Sequence, residues 1–238
     1  MLLSSRKVES MKLSGFEKIE GILDESEVNA IERLIIDQIN LFTQVKIKSL
    51  KKYHFVSDSV HQQLLSKKDA RVFTRKSVEK ILLMPFFLEL QNRFQEFTIS
   101  NVVTEDNELN AKEIYFRLVR PNCPSDIGCP HCDFWFHNAY NLDYGGPGST
   151  WKCWIPITVE SMKSGLEFYP NAALNKVSYS AYNKKLSCDK NQAALGKSVL
   201  VPIQSGDILI FRDDVIHSGA MNRGSETRSS IEITFIKK

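Results

Sequence analysis

From residue 98 onward the chain breaks into eight short runs rich in β-branched and aromatic residues: ISNVV, EIYFRLV, FWF, KCWIPITV, LEFY, SVLVPI, DILIF and SSIEITFI. Gly, Pro, Asn and Asp separate them, and most are joined without an intervening helical pattern. Such spacing predicts an antiparallel sandwich or barrel. Two connections, 137–150 (HNAYNLDYGGPGST) and 171–197, exceed hairpin length and are expected to act as lids or binding loops.

The first hundred residues read differently. Asp24 followed by Glu27 has the pattern of a capping box, and Val28, Ile31, Leu34, Ile35 and Ile39 recur at three- and four-residue spacing behind it. A second helical stretch covers 77–97, where Pro85 either kinks the helix or starts a new one. The expected organisation is a helical region, 1–97, packed outside a β core, 98–238, as one integrated domain.

Several function classes are excluded. A formal net charge of +3, with basic residues spread along the chain, gives no footprint for nucleic acid. The densest basic run, KIKSLKK at 46–52, reads as a solvated face. The longest apolar run, ILLMPFFLEL, is broken by Pro85 and is too short to span a membrane. The opening MLLSSRKVESMK lacks the pattern of a secretory signal, so a cytoplasmic location with reduced thiols is expected for the five cysteines. The sequence specifies no oligomeric state.

The stretch GCPHCDFWFHN at 128–138 carries two chemistries that share atoms. Cys129 and Cys132 have the spacing of a thiol–disulfide site. Such a site normally opens a helix whose N-terminus lowers the first thiol's pKa, whereas the run that follows here reads as β. A zinc site using Cys123 with these two and a histidine would need a further ligand pair at finger-like spacing, and none follows. His131 and Asp133, in contrast, supply two thirds of a 2-His-1-carboxylate metal site. On an extended segment residues i and i+2 face one way. His217, just beyond the strand DILIF, is the candidate third ligand, and Arg228 follows it by eleven residues at the head of the terminal strand.

The ordered set of His131-x-Asp133, WKCWIPI followed by SGLEFYPNA, GDILIF leading to His217, and Arg228 resembles the Fe(II)/2-oxoglutarate-dependent dioxygenases of the phytanoyl-CoA dioxygenase-like family. The likeness covers roughly residues 112–236, and SGLEFYPNA departs mildly from the family's usual Pro-Gly-Ser-His ending. It implies a double-stranded β-helix, the jelly-roll of cupin-like proteins, mainly β with the N-terminal helices packed outside. It also implies Fe(II) held by His131, Asp133 and His217, and 2-oxoglutarate as co-substrate with O2.

Under this resemblance Arg228 clamps the distal carboxylate of 2-oxoglutarate, with Arg223 in NRGSET as the competing clamp. Trp154 matches a position that packs against the co-substrate and is equally well placed as a core residue. Tyr115 and Arg117 share one strand face; they reach co-substrate or an anionic substrate group if they point inward, and solvent if they do not. Ser218, beside His217, is a further candidate co-substrate contact. Ser230 and Glu232 share a face with Arg228, and His137 is expected to touch substrate or solvent rather than metal. The implied reaction is C–H hydroxylation of a small molecule with release of succinate and CO2. An acid at position 133 favours it over halogenation, for which the family has a small residue there. The Asn-, Tyr- and Asp-containing loop 137–150 suggests a polar substrate such as a sugar, amino acid or natural-product intermediate. The rival readings are a non-catalytic jelly-roll binding protein and a thiol oxidoreductase.

Overall fold

The computed structural model describes residues 15–66, 68–103, 108–182 and 185–238, so the opening segment lies outside it. The elements in chain order are β1 (Phe16–Ile19), α1 (Glu25–Thr43), α2 (Asp58–Ser66), α3 (Lys68–Arg71), α4 (Arg75–Leu82) and α5 (Pro85–Arg93). They continue with β2 (Phe97–Ile99), β3 (Asn101–Val103), β4 (Glu108–Lys112), β5 (Ile114–Val119), α6 (Asp133–Ala139) and β6 (Trp151–Thr158). The remainder is β7 (Leu166–Phe168), β8 (Ser180–Tyr182), β9 (Lys185–Ser187), β10 (Val199–Leu200), β11 (Ile208–Arg212), β12 (His217–Gly219) and β13 (Arg228–Lys237). Pro85 starts a new helix at its first turn rather than kinking one.

Two antiparallel sheets face each other, as the jelly-roll reading expects. The larger runs β1–β11–β6–β13, with β5 and β2 both pairing the long β13; the smaller is β10–β7–β12. β1 falls in the region that reads as helical from sequence, yet it extends the larger sheet by pairing β11. Its four residues are too few to show a periodicity. The hairpin β8–β9 lies inside the 171–197 connection.

Alternation along the strands explains the layering. Cys153, Ile155 and Ile157 of β6, Ile231, Ile233 and Phe235 of β13, and Ile114, Phe116 and Leu118 of β5 all join one core with the helices. From α1 that core takes Ile31, Ile35 and Ile39, each fully buried, which stabilises the layer by about 1.5–3 kcal/mol per side chain. The opposite strand faces look inward: Trp154, Leu209 and Phe211 of the larger sheet pack on Leu166 and Phe168 of the smaller. On β13 the inward positions are Arg228, Ser230, Glu232 and Thr234, all buried. A strand that is aliphatic on one face and polar on a buried other face marks where the chemistry sits.

The capping box forms, with Asp24 accepting from the Glu27 amide at 2.9 Å and Glu27 Oε2 accepting from the Asp24 amide at 3.1 Å. Glu27 Oε1 also accepts from the buried amide of Phe86, one of the unpaired donors in the first turn of α5. Glu27→Ala therefore strands donors in two helices at once. A loss of about 1–3 kcal/mol is expected, measured as a lower urea midpoint at unchanged slope.

Candidate metal centre and its cavity

His131 and His217 are brought together by backbone. Each donates its amide to the other's carbonyl, at 2.9 and 2.8 Å, so the segment before α6 is stitched to β12. In each ring Nδ1 bonds a carbonyl two residues back, Cys129 O at 2.8 Å for His131 and Val215 O at 3.0 Å for His217. A carbonyl only accepts, so Nδ1 carries the proton and the Nε2 lone pair is left for a metal. Burial, then the neighbouring His217, lowers the pKa of His131 to about 4, which keeps its ring neutral.

Asp133 completes the group. One ligand atom from each of His131, Asp133 and His217 falls within 4.8 Å of the others. Asp133 Oδ2 is buried and accepts no hydrogen bond; its nearest cation is Lys152 Nζ at 3.6 Å. Burial alone would raise the Asp133 pKa, but the nearby Lys152 ammonium holds it below the usual carboxylate range. Two imidazoles with Nδ1 on a carbonyl and Nε2 toward the site, together with a carboxylate that has an unsatisfied oxygen, suit a divalent cation in a 2-His-1-carboxylate arrangement.

One local expectation is corrected. FWF is not a strand: Asp133 is the first residue of α6, with Cys132 as its extended N-cap. Aromatic residues favour strands on average, but here Trp135 is buried in a side cluster with Cys132 and Tyr169. His131 and Asp133 thus converge across a strand-to-helix junction, not along one strand face. That helix begins only after the second thiol, so Cys129 does not sit at its N-terminus as a redox Cys-x-x-Cys requires. All five cysteines are free, and burial pushes the Cys129 and Cys132 thiols up rather than down. Cys129 serves the site through its carbonyl, on His131.

His131 and Asp133 open into a cavity of about 270 Å³ walled by β5, β6, β13, α6 and the loop after it. Tyr115 and Arg117 line it, because the alternate residues of β5 are taken by the helical core. The Tyr115 hydroxyl donates to Glu232, and Arg117 Nε donates to the same carboxylate at 3.0 Å. Glu232 is therefore paired with β5. His137 also lines the cavity, its Nδ1 3.5 Å from Asp213 and its ring edge-on to Tyr144.

Arg228 is buried deeper, over the Trp154 ring at 5.6 Å, and burial lowers its pKa to about 10. Nη1 donates to the carbonyl of Gly165, a residue whose φ of 144° suits glycine. Nε is buried without a partner, as are Trp154 Nε1 and the hydroxyls of Ser164 and Ser230. Several unpaired buried donors in one region are costly unless a ligand takes them. Arg223 lies exposed in a loop, its amide on the Lys163 carbonyl. Ser218 is buried and does not line the cavity.

Sequence reasoning overlooked Arg71, Lys152 and the aromatic wall of Phe136, Tyr140 and Tyr144. Lys152 had a signal available: a charged residue two positions from Trp154 on a strand otherwise apolar on both faces.

The loop that delivers these ligands is anchored from the helical side. Asp126, which precedes His131, accepts three hydrogen bonds from Arg120, each at 2.9 Å, and its Oδ1 lies 3.0 Å from His61 Nε2 of α2. Burial opposes ionisation of Asp126, but His61 and Arg120 hold its carboxyl well below the usual range. A depressed folded-state pKa gives stability that is present above the unfolded value, near 4, and lost as pH falls toward the folded one. Asp126→Asn is expected to cost about 1–3 kcal/mol at neutral pH and to remove this part of the acid sensitivity. Denaturant titrations of both proteins at neutral and acid pH check it.

The profile of the phytanoyl-CoA dioxygenase family matches residues 11–230. The chain belongs to that family, whose cofactors are Fe(II) and 2-oxoglutarate. The sequence alone matches no curated protein. Among solved structures, the fold resembles the epimerase SnoN in complex with Fe3+, α-ketoglutarate and nogalamycin RO, at TM-score 0.57 and 14% identity over 98% of this chain and 82% of that one. It also resembles EvdO2 from Micromonospora carbonacea var. aurantiaca with 2-oxoglutarate, at TM-score 0.61 and 14% identity over 100% and 92%. The carbocyclase SnoK from nogalamycin biosynthesis follows at TM-score 0.55 and 13% identity over 99% and 84%. Among the described residues, no helix is long and apolar enough to cross a membrane.

Proposed function

We propose that the protein is an Fe(II)- and 2-oxoglutarate-dependent oxygenase that hydroxylates a C–H bond of a polar small molecule, releasing succinate and CO2. The observation that carries the reading is the convergence of His131, Asp133 and His217, each presenting a ligand atom, with His131 and Asp133 lining the cavity. Bound there, the iron and co-substrate supply the oxidising chemistry, and the protein positions and shields it.

The rest falls to the chain's own residues. His131 and His217 are held in the Nε2-presenting tautomer by the Cys129 and Val215 carbonyls. Arg228 receives the distal carboxylate of 2-oxoglutarate on its unpaired Nε edge, which offers two parallel N–H donors to two oxygens. Trp154 and Ser230, also unpaired, sit beside that carboxylate. Arg117 and Tyr115 line the route toward the metal, and Lys152 balances charge at Asp133. Phe211 and Phe168, packed around His217, keep water from that side.

Hydroxylation is preferred to halogenation because Asp133 fills the third ligand position that halogenation needs open. Anaerobic addition of Fe(II) and 2-oxoglutarate should produce the weak visible metal-to-ligand absorption band. Protein that binds neither is a non-catalytic relative, and reaction with a disulfide substrate instead would restore the thiol reading. Once a substrate is found, product carrying one atom from labelled O2 separates hydroxylation from epimerisation or ring closure.

A further inference from the structure

We infer that the substrate carries an oxyanion, a carboxylate or a phosphate group, which Arg71 receives at the outer end of the cavity. Its place as a substrate rests on the oxygenase reading; the anion site itself does not.

The backbone around Arg71 is fixed with unusual completeness. Buried Gln38 of α1 donates to the carbonyls of Ala70 (3.3 Å) and Val72, and accepts from the Thr74 amide at 3.3 Å. Val72 bridges to Tyr115, and the Phe73 amide bonds the Ile114 carbonyl at 2.9 Å, so this segment continues the edge of β5. The head of Arg71 is less constrained: among the described residues its Nε, buried in the cavity wall, has no hydrogen-bond partner.

The cavity's other two cations are already engaged. Arg117 pairs with Glu232 at 3.0 Å, and Lys152 bonds Thr234 at 2.7 Å and lies 3.6 Å from Asp133. Glu113, an acid of the same wall, accepts from Ser100 at 3.0 Å. Burial and the nearby Arg117 both work against the charge on Arg71. A guanidinium kept in such surroundings lowers stability unless something brings the missing anion.

That anion is distinct from the co-substrate's distal carboxylate. Arg71 adjoins Tyr115, which stands opposite Glu232 in the ladder. Arg228 lies four residues earlier on β13, roughly 13 Å along the strand. Phe136, Tyr140 and Tyr144 line the same cavity, so the body of the ligand meets aromatic faces. At about 270 Å³ the cavity is smaller than most small-molecule sites, which favours a compact acid over a large glycosylated product.

The test uses protein loaded anaerobically with Mn(II) and 2-oxoglutarate, and titrates benzoate, phenyl phosphate and the neutral isostere benzamide by calorimetry. At least one anion should bind about tenfold or more tightly than benzamide, and the tighter of the two names the oxyanion. Arg71→Met should abolish that preference, Arg71→Lys should keep part of it, and 2-oxoglutarate affinity should stay unchanged in both. Ligand-free Arg71→Met should melt no lower than the parent, because it removes an unpaired buried charge. Equal binding of benzamide, a preference that survives in Arg71→Met, or weakened 2-oxoglutarate binding each overturns the assignment. So does a lower melting temperature, which would mark a structural role. If the parent binds no 2-oxoglutarate, the oxygenase reading fails, and the anion preference read on protein without it still decides for Arg71.

Discussion

His217→Ala is expected to abolish Fe(II) binding, while a Cys129→Ser, Cys132→Ser double variant largely keeps it. Removing the imidazole leaves only His131 and Asp133, which flank a single strand-to-helix junction. The loss should exceed the ~10–100-fold that follows removal of a mere outer partner of a ligand. Neither thiol is part of the converging group, and Cys129 contributes by its carbonyl, which serine also has. Metal content after gel filtration, with circular dichroism confirming that each variant folds, checks both. A folded double variant without iron beside a His217→Ala that retains it would reassign the chemistry to sulfur.

Arg228→Ala is expected to weaken 2-oxoglutarate by roughly thirtyfold or more while hardly changing iron binding. Removing one partner of a desolvated charge pair typically costs on the order of 2–5 kcal/mol. Even with its pKa lowered to about 10, Arg228 is protonated at neutral pH, so the full charge is what truncation removes. Arg228→Lys should recover only part, since an ammonium cannot present the parallel donors of the Nε edge. Arg223→Ala is the control, because that side chain stands exposed. Succinate formation against 2-oxoglutarate concentration is the measurement. A large rise in half-saturation for Arg223→Ala with none for Arg228→Ala would move the clamp.

The sheets were readable because their signal is repeated: each strand alternates, and turn residues separate the runs. The candidate metal residues, which the fold brings together, were readable because two lie within three positions and the third follows a strong strand. Asp133 was placed in the wrong local structure because three aromatic-rich residues cannot show a helical period, and the packing of Trp135 decided the matter. Arg71 was invisible for another reason. It belongs to a four-residue helix and reaches the cavity only because Val72 joins the edge of β5, a contact with no trace in local pattern. The inward direction of Tyr115 and Arg117 likewise depended on which face the helices would cover.

The reciprocal backbone bonds between His131 and His217 carry a consequence for how the enzyme acquires its metal. The three donors are preorganised by amide pairing and by carbonyls that belong to the scaffold. Folding and metallation are therefore expected to separate in this chain, with chelator-treated protein keeping its circular dichroism, unlike small zinc domains whose fold forms only around the ion. On that expectation iron would enter and leave a finished fold, and the apoprotein would be a store of ready sites rather than a denatured precursor.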